Sequence, residues 1–264
     1  MMNEISAEQV VEVFETELER QAWLFSRTSN GDYSFDVDGV EYSVSPDNLI
    51  RDCIRDGNLD RISDFIATIQ DTISSNSSNW IDVRALVRYL LLSGDAGEEF
   101  DDVIVENVSP DLCRVFVFTN ADRSSISWIT KEMISVWQID LDEVVQVAEQ
   151  NMNELVTADI LEVENVGGVP LGLLNTIESS FKASLVLAPD FRNVVRPVLG
   201  WPVYAVLPAQ DFVYLIPTEH RSFLGRLGPV VLREYEESGY PISKDVFEIS
   251  DAGIQAIGTL GPQR

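Results

Sequence analysis

Residues 180–217 read SFKASLVLAPDFRNVVRPVLGWPVYAVLPAQDFVYLIP, the densest run of β-branched and aromatic residues in the chain. Residues 181–187 are continuously apolar enough to predict a strand buried on both faces. Pro189-Asp190 then opens a short helix, which Pro197 and Gly200 end. Residues 203–207 and 212–216 are predicted as two apolar strands joined by PAQD, a hairpin connection of usual length. Strand, helix and hairpin in this order describe scaffold, so the polar Ser184 and Asp211 inside the run are the positions that need a reason.

Working toward the C-terminus, residues 224–235 predict a helix with Leu227, Val231 and Tyr235 on one face, interrupted in its first turn by Gly228-Pro229. Residues 246–249 add an edge strand. Working back, residues 160–166 and 169–174 read as strands around a Gly167-Gly168 turn. Thr130 is placed to cap the helix KEMISVW, and Asp140 the helix LDEVVQVAEQNMNEL, whose first turn is acidic as the macrodipole prefers. Before them, residues 103–105, 112–119 and 125–129 predict strands, with a turn at 120–123. Residues 80–92, WIDVRALVRYLLL, fit either a strand entering a helix or one buried helix.

SSNSSN at residues 74–79 is a loop by composition and sets the domain boundary, 1–79 and 80–264. In the first part Ser6 and the following Glu8 and Gln9 open a helix carrying Val10, Val13, Phe14 and Leu18. WLFSRTS, DYSFDV and VEYSVS then form a three-stranded meander with turns at Asn30-Gly31 and Asp38-Gly39. Ser34, Asp36, Asp38 and Gly39 mimic the start of a calcium loop, but Ser45 stands where the bidentate Glu belongs and the flanks alternate like strands. Two helices follow, one with Leu49, Cys53 and Ile54 ended by Gly57, the other with Leu59, Ile62, Phe65, Ile66 and Ile69.

With 45% apolar residues, the 264-residue chain can bury a core, and the fold class is α+β, antiparallel or mixed sheets built from hairpins with flanking helices. Its 44 acidic and 18 basic residues give a formal net charge of -26, which repels nucleic acid and anionic lipid headgroups. Only Lys131, Lys182 and Lys244 are lysines, a bias suited to a carboxylate-rich surface in concentrated salt, where screening relieves self-repulsion. Cys53 and Cys113 lie in apolar contexts without metal-ligand spacing and read as reduced core thiols. The acidic, amphipathic N-terminus is unlike a signal peptide, and nowhere do eighteen apolar residues run together. A cytoplasmic protein is expected, with no nucleic-acid or membrane partner.

Catalytic signals are sparse. His220 is the one histidine, with Glu219 and Ser222 too close in sequence to make a triad with it. GLGP and VGGVPLG lack the glycine spacing that wraps backbone N–H groups round a phosphate. Glu98, Glu99, Asp101 and Asp102 read as a solvated turn before they read as a cation site. No cofactor and no metal are therefore expected. Asn151, Ser184 and Asp211 are the candidate ligand-binding residues, each weighed against a structural role in satisfying buried backbone or forming a turn.

Four pieces, SWITKEMISVWQIDLDEVVQVAEQNM, KASLVLAPDF, VYAVLPAQDFVYLIP and YEESGYPISKDVFEIS, occur in the order and spacing of the YtpQ-like family, which the chain resembles over 115–155 and 180–250. The resemblance implies an α+β cytoplasmic protein of no established activity. It also calls for an arginine near a short strand, a place open to Arg84 or Arg88. The expected function is a non-catalytic binding or protein-interaction module with an unidentified protein partner. The alternative is a hydrolase-like enzyme using carboxylate or Asn/Ser chemistry on a small neutral or cationic substrate.

Overall fold

A computed structural model describes residues 5–28, 31–37, 40–76, 79–99, 102–120, 123 and 125–261. The chain divides into two compact units, Met1–Ser78 with Asp122–Ser125, and Asn79–Ala121 with Ile126–Arg264.

The first unit runs α1 (Ala7–Arg20), β1 (Leu24–Arg27), β2 (Tyr33–Val37), β3 (Val40–Val44), α2 (Asp47–Asp56) and α3 (Arg61–Asn76). Ser6 and Gln9 close a full capping box, each side chain accepting the other's backbone N–H. The meander is antiparallel in the order β1-β2-β3. Residues 30, 38 and 39 of its turns lie outside the described residues, but pairing persists to Val37 opposite Val40. That is hairpin geometry, without the flanking helices of a calcium loop. Gly57 ends α2 in the left-handed region at φ 62°, where a side chain would be strained. Val10, Phe14 and Leu18 of α1 pack with Tyr33, Phe35, Cys53, Ile62 and Ile66 in one core.

Tyr33 is fully buried within that core, its Oη donating to Glu15 Oε1 at 2.7 Å. Burial first, and then the hydrogen bond and charge of Glu15, push its phenol from 10.0 up to about 12. Because the folded value lies above the unfolded one, this stabilisation is intact below pH 10 and is lost as pH rises toward about 12. Denaturant unfolding followed across that range will show an alkaline decline of the first unit, and Tyr33→Phe will flatten it. An unchanged decline in Tyr33→Phe would assign it to other groups.

The second unit begins with α4 (Trp80–Val83), a 3-10 turn Arg84–Leu86 and β4 (Val87–Ser93). A 3-10 segment Gly94–Glu99, β5 (Val105–Ser109), β6 (Leu112–Thr119), β7 (Ile126–Trp128), α5 (Lys131–Trp137) and α6 (Leu141–Asn153) follow. Next come β8 (Leu161–Val166), β9 (Val169–Leu174), 3-10 turns Ser179–Phe181 and Ala183–Leu187, and α7 (Phe191–Leu199). The chain closes with β10 (Val203–Ala209), β11 (Phe212–Pro217), a 3-10 segment Thr218–Phe223, α8 (Leu224–Glu237), β12 (Asp245–Ser250) and β13 (Gly253–Thr259). Every strand pairing is antiparallel, so the protein is α+β. One sheet has the order β13-β12-β10-β11-β9-β8, and in the other β6 is flanked by β4 on one side and by β5 and β7 on the other.

Period-two alternation explains why β10 is apolar throughout. Val203, Ala205 and Leu207 face a large core shared with β4, β6, α6 and α7, while Tyr204 and Val206 face Leu224, Leu227 and Val231 of α8. On α6, Val144, Ala148, Asn151 and Met152 form the buried stripe. Thr130 and Asp140 cap α5 and α6, their side chains accepting from Met133 N and Glu143 N. At Gly172 of β9 a Cβ would fall 2.6 Å from Leu199 Cδ1, so α7 approaches the sheet only because no side chain is there.

Several expectations are corrected. Residues 181–187 are not a strand but 3-10 turns, because a run buried on every side satisfies a compact coil as well as a sheet. Residues 80–92 are neither a strand entering a helix nor one buried helix, but a helical turn capped by Asn79 leading into a strand. Pro197 lies inside α7, and Gly200 alone ends that helix. Gly228-Pro229 does not break α8, whose face from Leu224 to Val231 is held by the second core. Finally, β12 is an interior strand, since β13 pairs along its outer side.

Candidate functional site

The turn between β10 and β11 is where polar groups concentrate. Gln210 and Asp211 form it, and Gln210 N donates to Tyr240 O at 3.2 Å while Gln210 O accepts from Ala183 N at 2.9 Å. These two bonds tie the hairpin to the 3-10 turn and to the segment after α8. They also bury Gln210 to 8% exposure. Both are main-chain bonds, and the carboxamide of Gln210 has no hydrogen-bond partner among the described residues. Its polar atoms are not among the buried unsatisfied groups, so the carboxamide remains accessible to water or a ligand at the cleft it lines.

Gln210 lines a cleft of about 480 Å³ together with Asp211, Glu234, Glu237, Ser238 and Tyr240. Ser179 and Ser180 contribute further hydroxyl-bearing residues, and no Lys or Arg lines it among the described residues. Glu234 and Glu237 stand in the last turn of α8, which carries no basic residue. Carboxylates there oppose the helix macrodipole, whose C-terminal end is itself negative. Arg233 Nη2 reaches Glu234 Oε1 at 2.8 Å, an exposed neighbour pair that offsets little of this charge. The field extends into the sheet: burial first, and then the charge of Glu234, raise the Tyr214 phenol above its usual value.

A second cavity, a smaller lobe of about 270 Å³, shares Asp211 as a lining residue. Glu162, Asn175 and Lys182 supply its polar wall, and Leu173, Phe212 and Val213 its apolar one. Lys182 has no ion-pair partner among the described residues.

Of the three candidate residues, Asp211 alone lies in this cleft. Asn151 Nδ2 donates to Arg84 O at 2.8 Å and Val87 O at 2.9 Å. Ser184 Oγ accepts from Leu91 N at 2.9 Å. Both therefore serve the edge of β4 that faces away from β6. His220 has Glu219 Oε1 at 3.5 Å as its charged neighbour. No group of three His, Cys, Asp or Glu among the described residues is placed to hold a metal ion, and the side chains of Glu98, Glu99 and Asp101 lie outside them.

Sequence reasoning missed Gln210, Glu234 and Glu237, as well as the buried pair Arg88 and Glu178, whose Nε and Oε2 are 3.7 Å apart. A usable signal existed for the cleft, because Glu234, Glu236 and Glu237 cluster at and just beyond the end of the predicted helix, against its dipole. The fold and cleft define an α+β protein with an acidic concavity at a hairpin turn. Comparison with family models, curated proteins and solved structures finds no match for the chain. No helix of the described residues is long and apolar enough to cross a membrane.

Proposed function

We propose that this chain is a non-catalytic binding module and that its cleft at the β10–β11 turn receives a positively charged organic group. The observation that carries this is the clustering of Asp211, Glu234 and Glu237 around one concavity with no lining cation among the described residues. Such a cavity lies in the size range of ligand sites, and its low-dielectric walls focus the negative potential. The backbone carbonyls at the end of α8 add to the attraction for a cation. The ligand is either free or presented by a protein partner, and a reducing cytoplasm is the proposed setting, supported by the buried thiols Cys53 and Cys113. Membership of the YtpQ-like family is proposed on the four sequence pieces alone.

Titration of the whole chain by NMR with butylamine and, separately, with butyrate tests the reading. Butylamine is expected to shift resonances around Gln210 and Tyr240, and butyrate to leave them unmoved. The double variant Glu234→Gln/Glu237→Gln should lose the amine response. It should also unfold later, since each neutralised carboxylate relieves an unfavourable dipole contact of about 0.3–1 kcal/mol at low salt. Equal responses to amine and carboxylate, or a response that survives in the double variant, would overturn the assignment.

A further inference from the structure

Resting on that cation-binding reading, we infer that the ligand is a linear dication, two protonated amines joined by a short aliphatic chain. Asp211 lines both cavities, and each has carboxylate of its own, Glu234 and Glu237 in the larger and Glu162 in the smaller. Negative charge therefore lines both cavities that Asp211 borders. The absence of any metal-holding trio among the described residues agrees with this, because carboxylates spread in this way match an extended cation and not a point charge.

The apolar wall formed by Leu173, Phe212 and Val213 gives the methylene chain a surface beyond Asp211. Gln210 stands on the other side of that residue in sequence, withdrawn to 8% exposure and with its carboxamide free of protein partners. Its carbonyl oxygen is the acceptor that an ammonium group entering the larger lobe needs once Asp211 has taken another of its three N–H donors.

Lys182 occupies the smaller lobe beside Glu162 and Asp211 without an ion pair. In the free protein it is the only cation lining either lobe among the described residues, so it competes with the second ammonium of the ligand. A zwitterion would use the same lysine in the opposite sense, as a partner for its carboxylate. Charge favours the dication, since Glu162 and Asp211 outnumber Lys182 in that lobe.

Calorimetric titration of the whole chain at constant ionic strength with diaminobutane, butylamine and γ-aminobutyrate decides the matter. Diaminobutane should bind at least about tenfold more tightly than either of the others, since the second ammonium binds as a tethered group. Glu162→Gln should reduce diaminobutane to the affinity of butylamine and leave butylamine unchanged. Lys182→Ala should tighten diaminobutane. Equal affinity of diaminobutane and butylamine, both lost in Glu234→Gln/Glu237→Gln, overturns the dication while leaving the cation site standing. Tighter binding of γ-aminobutyrate, weakened by Lys182→Ala, overturns it in favour of a zwitterion. No binding of any amine overturns both readings.

Discussion

Arg88→Met is expected to destabilise the protein by about 3–5 kcal/mol, the penalty for removing one partner of a buried charge pair. Arg88 and Glu178 are 5% and 7% exposed, and Nε lies 3.7 Å from Oε2, an ion pair too long to count as a strong hydrogen bond. The guanidinium also holds the start of β4 in place, Nη1 donating to Val87 O at 2.9 Å and Ala85 O at 3.3 Å. Methionine keeps most of the volume but returns none of this, and Glu178 is left buried without the cation beside it. The double variant Arg88→Met/Glu178→Met should recover most of the loss, because exchanging both charges for apolar groups removes two desolvation costs at once. Urea unfolding of the four proteins of this cycle gives the coupling directly. A loss below about 1 kcal/mol in Arg88→Met, the level of an exposed pair, would mean that solvent reaches these charges in solution.

The pair also shows which kinds of feature a single sequence exposes. Caps, hairpins and left-handed helix ends are decided by residues within a few positions of one another. Ser6 with Gln9, Thr130, Asp140 and Gly57 therefore act in the folded chain as their local chemistry predicts. The strands of the β8–β9 and β10–β11 hairpins emerge for the same reason. Tertiary packing decides the rest. Residues 181–187 are apolar apart from Lys182 and Ser184 because the 3-10 turns there are enclosed by β4 and the large core, a circumstance that sequence periodicity cannot separate from a buried strand. Pro229 stays helical because Leu224, Leu227 and Val231 anchor α8 on both sides of it. For the cleft, Asp211 was legible as a turn residue, but Gln210 became a buried side chain only through the bonds it makes to Ala183 and Tyr240. Glu234 and Glu237 were hidden among 44 acidic residues.

Asn151→Leu and Ser184→Ala should each cost about 1–3 kcal/mol, and the double variant close to the sum of the two. The reason lies in the topology. Among the described residues β4 pairs only with β6, so the backbone groups on its other edge have no strand to meet there, yet Val87, Tyr89 and Leu91 are fully buried. Asn151 on α6 satisfies Arg84 O and Val87 O, and Ser184 in the 3-10 turn satisfies Leu91 N. These side chains replace a missing neighbour strand, which closes an edge that would otherwise invite pairing with another chain. Their contacts lie four residues apart along β4, about 13 Å of extended backbone, which is why the losses should add. Arg88 Nη1 continues to serve Val87 O when Asn151 is replaced, so Arg84 O carries most of that cost. Binding of butylamine in the cleft should be unchanged in both variants at temperatures where they remain folded. Loss of amine binding in a folded Asn151→Leu or Ser184→Ala protein would instead join these residues to the ligand site, and unchanged stability would remove them from the role of closing the β4 edge.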